Sequence, residues 1–574
     1  MKRLLKYLKG YKKETVLAPL FKMLEASLEL LVPLVIAAIV DRGIDSGDSG
    51  YVVRMCGVLL LLGVVGLIFS VTAQYFSAKA AVGFASKLRY LLFAKVQTLS
   101  YSDIDELGTS TMMTRMTQDT SKVQNGLNLA LRLLLRSPFV VFGAMIMAFT
   151  VDARSALTFV ALIPALAVVV FGIMLITMPL YKKTQSGTDK LLRRTRENLS
   201  GVRVIRAFRA ENNEIDAFGE ENRDLVAIQQ RVGKISALMN PLTYVLVNVT
   251  ILWLIHTGAV QVSLGNLSQG QVLALYNYMS QILVELIKLA NLIISISRAL
   301  ASASRIADVL DITPTENMGS VTEFDSEAPM VVFDNVSLNY NSSESPALEG
   351  ISFSAMRGET VGIIGGTGSG KSSLVNMIPG FYKPTEGTIT VSGVSVFDYD
   401  PCALRQRIGV VPQKAVLFKG TLGDNMRFGN PDATDSEILR ALDIAQARGV
   451  VDSKGGLSAL VEEGGQNFSG GEKQRLTIAR ALVTSPEILI LDDSASALDF
   501  ATDAALRRAL ADNLKDTTVF IVSQRSSSVM HADKIIVLDD GQAVGIGTHE
   551  ELLDKCDIYR EIYDTQFNRE VQNG

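Results

Sequence analysis

The sequence predicts a multi-domain protein: an all-α six-helix transmembrane domain followed by an α/β domain built on a phosphate-binding loop (P-loop). Three observations carry the prediction. Hydrophobic residues make up 48% of the 574-residue chain, and the excess sits in its first half. That half holds six apolar runs, and ~20 apolar residues in a helix are enough to cross a hydrocarbon layer. From Met330 onward, short β-rich runs alternate with helical segments around the run VGIIGGTGSGKSS, an α/β pattern. The chain is too long for one hydrophobic core. We divide it into residues 1–310, a linker at 311–329 and a second domain at 330–574.

The apolar runs cover about Val16–Val40, Cys56–Ala78, Leu129–Thr150, Ser155–Met178, Asn240–Val262 and Gln271–Ile294. The first is too long for a cleavable signal, and no small-residue cleavage site follows it. Before it, MKRLLKYLKGYKK sets Leu4, Tyr7, Leu8 and Tyr11 on one helical face and Lys2, Lys6, Lys9 and Lys13 elsewhere. This reads as a helix lying on the lipid surface; a frayed basic tail is the alternative. Short links join spans one to two, three to four and five to six. The long connections carry Lys79, Lys87, Arg89, Lys95, Arg115, Lys182, Lys183, Arg193, Arg194 and Arg196. Basic residues favour the cytoplasmic side, so both termini and the second domain are expected there. Residues 79–128 and 180–239 look helical and amphipathic. Turns near Tyr101–Gly108 and Glu211–Gly219 are expected to present short contact helices to a cytosolic domain.

Charges also fall within or beside the spans. Lys22, Glu25 and Glu29 share a face of the first, and Glu285 and Lys288 lie one turn apart in the sixth. Buried membrane charges are costly and face a cavity or a partner. Two readings stay open: a polar substrate pathway, or a salt-bridged segment at or below the membrane surface. The net charge of −4 is small and no basic tract is present, which argues against a nucleic-acid partner. Cys56, Cys402 and Cys556 are scattered with no metal-ligand spacing, which argues against a zinc or disulfide framework and fits a reducing compartment. After Ile294 a polar helix leads into ITPTENMGSVTEFDSEAP, whose Pro, Gly, Ser and acidic residues read as a linker.

In the second domain an apolar strand, Thr360–Ile364, precedes Gly365, Gly366, Thr367, Gly368, Ser369, Gly370, Lys371, Ser372 and Ser373, and a helix follows. Glycines let backbone N–H groups converge on phosphate oxygens, and the helix N-terminus adds a favourable dipole. Lys371 is placed to reach the β- and γ-phosphates, and Ser372 to hold Mg²⁺. Farther on, Ile488–Leu491 form a buried strand ending in Asp492, a second acidic ligand position for Mg²⁺. Between them, Ser469, Gly470 and Gly471 precede a helical segment, a second phosphate-ready turn.

With both phosphate elements in one chain, and RENLSGVRVIRAF at Arg196–Phe208, the sequence resembles the ATP-binding cassette family, exporter-type branch, over nearly its whole length. The resemblance implies a nucleotide-binding domain that works in pairs. Each ATP is held between one chain's P-loop and the other chain's signature turn. Tyr340 then matches the aromatic that stacks on adenine, and Gln413 the glutamine that touches Mg²⁺ and links motor to membrane helices. Glu463 matches a glutamate that contacts those helices. Ser469, Gly470, Gly471 and Glu472 match the signature turn, and Ser496–Asp499 a loop crossing the dimer interface. Phe468 and Glu472 depart mildly from the usual Leu and Gln.

Two departures bear on chemistry. The family's catalytic base is a glutamate, and here the position is Asp493. Its switch residue is a histidine, and here it is Gln524. Aspartate sets its carboxylate back by roughly one bond length, ~1.5 Å, and a base must lie within hydrogen-bond reach. Glutamine donates a hydrogen bond but takes up no proton near neutral pH. The expectation is a degenerate catalytic set of Asp493, Gln524 and Gln413. The chain is then one subunit of a heterodimeric exporter in the cell membrane. Its second half transporter is non-identical and carries intact Glu and His, and the cargo is a small amphipathic drug- or lipid-like compound. Alternatives are import of metal chelates on the same fold, and a regulatory ATP-binding membrane subunit.

Overall fold

The computed structural model describes residues 3–313, 319–325, 327–340, 345–494 and 496–573. Lys2 of the expected surface helix and residues 314–318 and 326 of the expected linker lie outside these. The chain divides into two compact units, Met1–Gln97 with Ser110–Ile312, and Thr98–Thr109 with Thr313–Gly574.

Among the described residues, six helical runs are long and apolar enough to cross a membrane: Leu5–Ile44, Ser49–Val96, Thr109–Val151, Ala153–Ala207, Glu211–Ser263 and Gln269–Asp311. They run 40 to 55 residues. At ~1.5 Å per residue each exceeds a hydrocarbon core of ~30 Å, so each continues beyond it. The N-terminal residues Leu5–Tyr11 form a 3₁₀ turn with Leu4 and Leu8 buried. The start of the sixth run is fixed by side chains. Ser268 caps Gln269–Asp311 in a reciprocal box with Gln271, and Asp41 reinforces it by accepting from the Gly270 amide at 2.8 Å. The expected short helix at Glu211–Gly219 is not separate. The chain breaks at Phe208–Ala210, where Arg209 takes φ 54°, and Glu211 opens a 27-residue helix. That helix is laced back by Arg194, which bonds Glu214 and Glu221 at 3.0 Å each. The first span, the third and the sixth share a core around Leu30, Ala144 and Tyr278, and Tyr278 donates to the Leu30 carbonyl at 2.7 Å.

In the second unit, Ser100 caps Tyr101–Leu107 with Asp103, and Gly108 stops that helix at φ 73°. Tyr101 stacks on Phe381 at 4.3 Å, and Tyr382 donates to Asp105 at 2.7 Å. The expected contact helix at Tyr101–Gly108 therefore forms and packs on this unit. Residues 319–325 also pack here: the amides of Val321 and Asp325 donate to the carbonyls of Asp398 and Ser392.

Twelve strands are found among the described residues: β1 Val331–Leu338, β2 Leu348–Ala355, β3 Thr360–Gly365, β4 Glu386–Val391, β5 Val394–Ser395, β6 Ile408–Val411, β7 Gly420–Thr421, β8 Leu460–Val461, β9 Ile488–Asp492, β10 Thr518–Ser523, β11 Lys534–Asp539 and β12 Gln542–Gly547. The main sheet runs β12-β11-β3-β10-β9-β6. It is parallel except for the β11–β12 edge. The smaller sheet, β2-β1-β4-β5, is antiparallel. One core lies against Phe333, Ile363 and Ile490; a second gathers the helical part around Leu422, Leu442 and Ile478. In the parallel sheet the C-terminal ends of β3, β9 and β10 emerge together, where ligands bind open α/β sheets.

Candidate functional site

The loop leaving β3 is shaped by its glycines. A side chain at Gly365 would place Cβ 2.1 Å from the Leu538 carbonyl oxygen. Gly370 adopts φ 92° and stands as the left-handed residue before the helix Lys371–Met377, a conformation that glycine enters without strain. The loop curls over Lys371, which is 8% exposed. Its Nζ donates to the carbonyls of Gly365, at 3.0 Å, and of Gly366, and lies 3.3 Å from Ser369 Oγ. Burial holds the Lys371 ammonium below the usual lysine range, although Asp493 and Asp492 pull the other way.

Strand β9 delivers Asp492, which accepts from Ser372 Oγ at 2.9 Å. Burial raises its carboxyl above the ordinary value, and the neighbouring Asp493 adds to this against the Ser372 bond. A hydroxyl and a carboxylate are oxygen donors of the kind a hard divalent ion takes, so Ser372, Asp492 and Gln413 fit Mg²⁺. Asp493 itself sits at φ 45°, and its side chain accepts from Gln413 Nε2 at 3.1 Å. Tyr340 OH donates to Ser373 Oγ at 2.9 Å, and its ring meets Tyr382 edge-on at 5.3 Å. Tyr340, Thr367, Gly368, Lys371, Ser372, Ser373, Gln413, Asp492, Asp493 and Gln524 line a cavity of about 320 Å³.

The structure thus gathers Tyr340, Thr367, Gly368, Gly370, Lys371, Ser372, Ser373, Gln413, Asp492, Asp493 and Gln524 around one cavity, which Gly365, Gly366 and Ser369 do not line. The residues Ser469, Gly470, Gly471 and Glu472 do not line it. They form the start of the helix Gly470–Leu482, where the Glu472 carboxylate accepts from the Ser469 amide at 2.7 Å and Ser469 caps the Glu472 amide. That backbone bond, more than burial opposes it, holds the Glu472 carboxyl below its ordinary value, so its charge is tied into the cap. A side chain at Gly471 would meet the Ala497 carbonyl at 3.0 Å, so the Ser496–Asp499 turn abuts the signature turn. Glu463 is exposed, in a 3₁₀ turn.

In the membrane unit the paired charges close into a network. Arg136, 6% exposed, bonds Glu29 and Glu285 at 2.6 Å each. Glu285 also accepts from Ser137 at 2.9 Å and Lys288 at 2.8 Å, and Lys22 pairs with Glu25 and reaches Ser70 at 3.1 Å. Beside it is a cavity of about 290 Å³ lined by Glu29, Asn277, Gln281, Glu285 and apolar side chains. Sequence reasoning did not single out Arg136, although an arginine inside an apolar run was the available signal.

Comparison with known proteins agrees with this layout. The family model "ABC transporter transmembrane region" matches residues 15–286, and "ABC transporter" matches 348–496. An uncharacterized ABC transporter ATP-binding protein of Mycobacterium tuberculosis is 36% identical, over 98% of this chain and 97% of its own. The "probable multidrug resistance ABC transporter ATP-binding/permease protein YheI" of Bacillus subtilis is 35% identical over 88% of each. Among solved structures, a bacterial Atm1-family ABC exporter with ATP bound aligns at TM-score 0.79, covering 97% of this chain and 98% of its own, at 23% identity.

Proposed function

The chain belongs to the ATP-binding cassette transporter family and is a multi-pass membrane protein with an ATP-hydrolysing motor; from that premise we propose that it is the slow-site subunit of a heterodimeric exporter of small amphipathic compounds. The cargo class draws support from the relative named for multidrug resistance and from the cavity beside Arg136, whose walls set Val32, Ile36, Val140 and Val284 beside Glu29, Glu285, Lys288 and two amides.

The observation that carries the asymmetry is that Asp493 and Gln524 both line the P-loop cavity. In this reading the backbone N–H groups from Gly366 to Lys371 cradle the phosphates. Lys371 exchanges its carbonyl partners for phosphate oxygens, a stronger charge-assisted bond. Tyr340 offers its ring to adenine. Ser372, Asp492 and Gln413 would hold Mg²⁺, which would supply charge neutralisation at the phosphates. Asp493 orients the attacking water at a longer reach than glutamate, and Gln524 donates a hydrogen bond toward the γ-phosphate without accepting a proton. The Ser469–Glu472 turn completes the partner's site, where Glu and His supply most of the turnover. Both termini and the motor lie in the cytoplasm, given the basic long connections.

The test is ATPase turnover of this chain co-expressed with its genomic neighbour. Asp493→Asn in this chain is expected to lower turnover by less than about twofold, whereas Glu→Gln at the partner's base position lowers it by about 10²-fold or more. Equal losses, or fast turnover by this chain alone that survives Lys371→Ala, would sink the asymmetry.

A further inference from the structure

We infer that Gln566, on the C-terminal helix Asp557–Asn573, is a positioning residue for the switch residue Gln524. Its amide spans the switch loop at both ends. Nε2 donates to the Gln524 carbonyl at 2.8 Å, and Oε1 accepts from the Ser526 amide at 2.8 Å and Ser526 Oγ at 2.9 Å. Gln524 O can only accept, and Ser526 N–H can only donate. A primary amide answers both, while a carboxylate answers one and an apolar side chain neither. The bond falls on a residue that lines the P-loop cavity, so it fixes the backbone that carries the Gln524 side chain.

The helix that carries Gln566 is well seated. Tyr559 is 0% exposed and packs with Ile364, Val529 and Ile535, and its hydroxyl lies 2.7 Å from His549 Nδ1. Ile364 directly precedes the P-loop glycine Gly365. On the far side of the switch loop, Arg507 donates to the Ser527 carbonyl and pairs with Asp503 at 3.0 Å. Arg507 belongs to the helix Phe500–Asn513, whose first turn Asp499 caps. The switch loop is thus held between the helix that follows the Ser496–Asp499 turn and the C-terminal helix. A small misplacement of a reacting group is costly in rate, so a clamp on the Gln524 backbone acts on turnover more than on nucleotide affinity.

This inference rests on the reading of Gln524 as the group facing the γ-phosphate, and the experiment separates the two. Single-turnover MgATP hydrolysis and ATP affinity are measured on the full-length chain with its native partner, the partner's base position carrying Glu→Gln so that this chain's site is read. Gln566→Glu keeps the length and the acceptor for Ser526 but sets a carboxylate against the Gln524 carbonyl. Gln566→Met keeps the length and neither bond. Both are expected to slow hydrolysis about tenfold with ATP affinity unchanged within about twofold and the melting temperature unchanged within a few degrees. Added to Gln524→Ala, neither slows the reaction further, because the clamp has nothing left to position. Wild-type hydrolysis in Gln566→Glu beside a slow Gln524→Ala, or losses that add in the double variant, overturns the positioning role alone. A Gln524→Ala variant with wild-type hydrolysis overturns the switch reading and this inference with it.

Discussion

Asp493 occupies a left-handed backbone position, φ 45°, that non-glycine residues hold only when their surroundings impose it. Its amide donates to the Val522 carbonyl at 3.0 Å, and its carboxylate is met by Gln413. Backbone and side chain are therefore both fixed. Lengthening the side chain is expected to restore reach. Asp493→Glu should raise hydrolysis at this chain's own site by about 10–10²-fold, measured with the partner's site silenced. An unchanged rate would place the deficit at Gln524 instead. The residue types at this site were legible from sequence because the P-loop and the acidic strand end are contiguous motifs. The left-handed backbone of Asp493 was not, since it depends on β10 running alongside β9.

The strands that present these residues are pinned at their entry. Arg407 and Glu487 form a two-point ion pair, and the Arg407 carbonyl accepts from the Glu487 amide at 2.8 Å, joining the starts of β6 and β9. The guanidinium also stacks 3.4 Å from the Phe324 ring. Burial alone would raise the Glu487 carboxyl, but Arg407 and then Arg357 outweigh it and hold it below its ordinary 4.5. A carboxyl depressed in the folded state contributes stability that is present above the unfolded value and lost as pH falls through the folded one. Thermal stability of the motor is therefore expected to fall as pH drops below about 4.5. Glu487→Gln should lower stability at neutral pH by about 1–2 kcal/mol, discounted for its partial exposure, and should flatten that acid limb. A parallel acid limb in the variant would assign it to other carboxylates. The Ser469–Glu472 cap belongs to the same scale and was readable in advance, because a capping box is a four-residue pattern.

At the scale of the whole chain, the network around Arg136 ties the first, third and sixth spans of the membrane unit together. Removing one member of a buried pair leaves an uncompensated charge, at about 3–5 kcal/mol. Arg136→Gln should therefore lower the melting temperature and yield of the membrane-inserted protein. Adding Glu285→Gln should recover part of the loss, because the remaining groups are then neutral or partly exposed. No recovery in the double variant would show that the network is held by its shape more than by its charge balance. The two-domain order, the six spans and the P-loop strand were all readable from sequence, since each is a run of consecutive residues. The second short contact helix was misjudged: Glu211–Gly219 follows a break but continues without interruption into a long amphipathic helix, and composition alone does not mark where such a helix ends.

The sequence by itself determined the parts of this protein that depend on neighbours along the chain. These are the apolar spans, the glycine loop, the acidic strand end, the turn at Ser469–Gly471 before its helix and the presence of Asp493 and Gln524. Only the tertiary structure decided which distant groups meet. Arg136 reaches residues 107 and 149 positions away, and Gln566 reaches back 42 positions to Gln524. The physical reason is one of range. Helices, strands and caps follow from hydrogen bonds within a few residues, which local spacing records. A buried charge or amide is satisfied by whatever partner the packing brings within about 3 Å, and nothing in the order of residues names that partner.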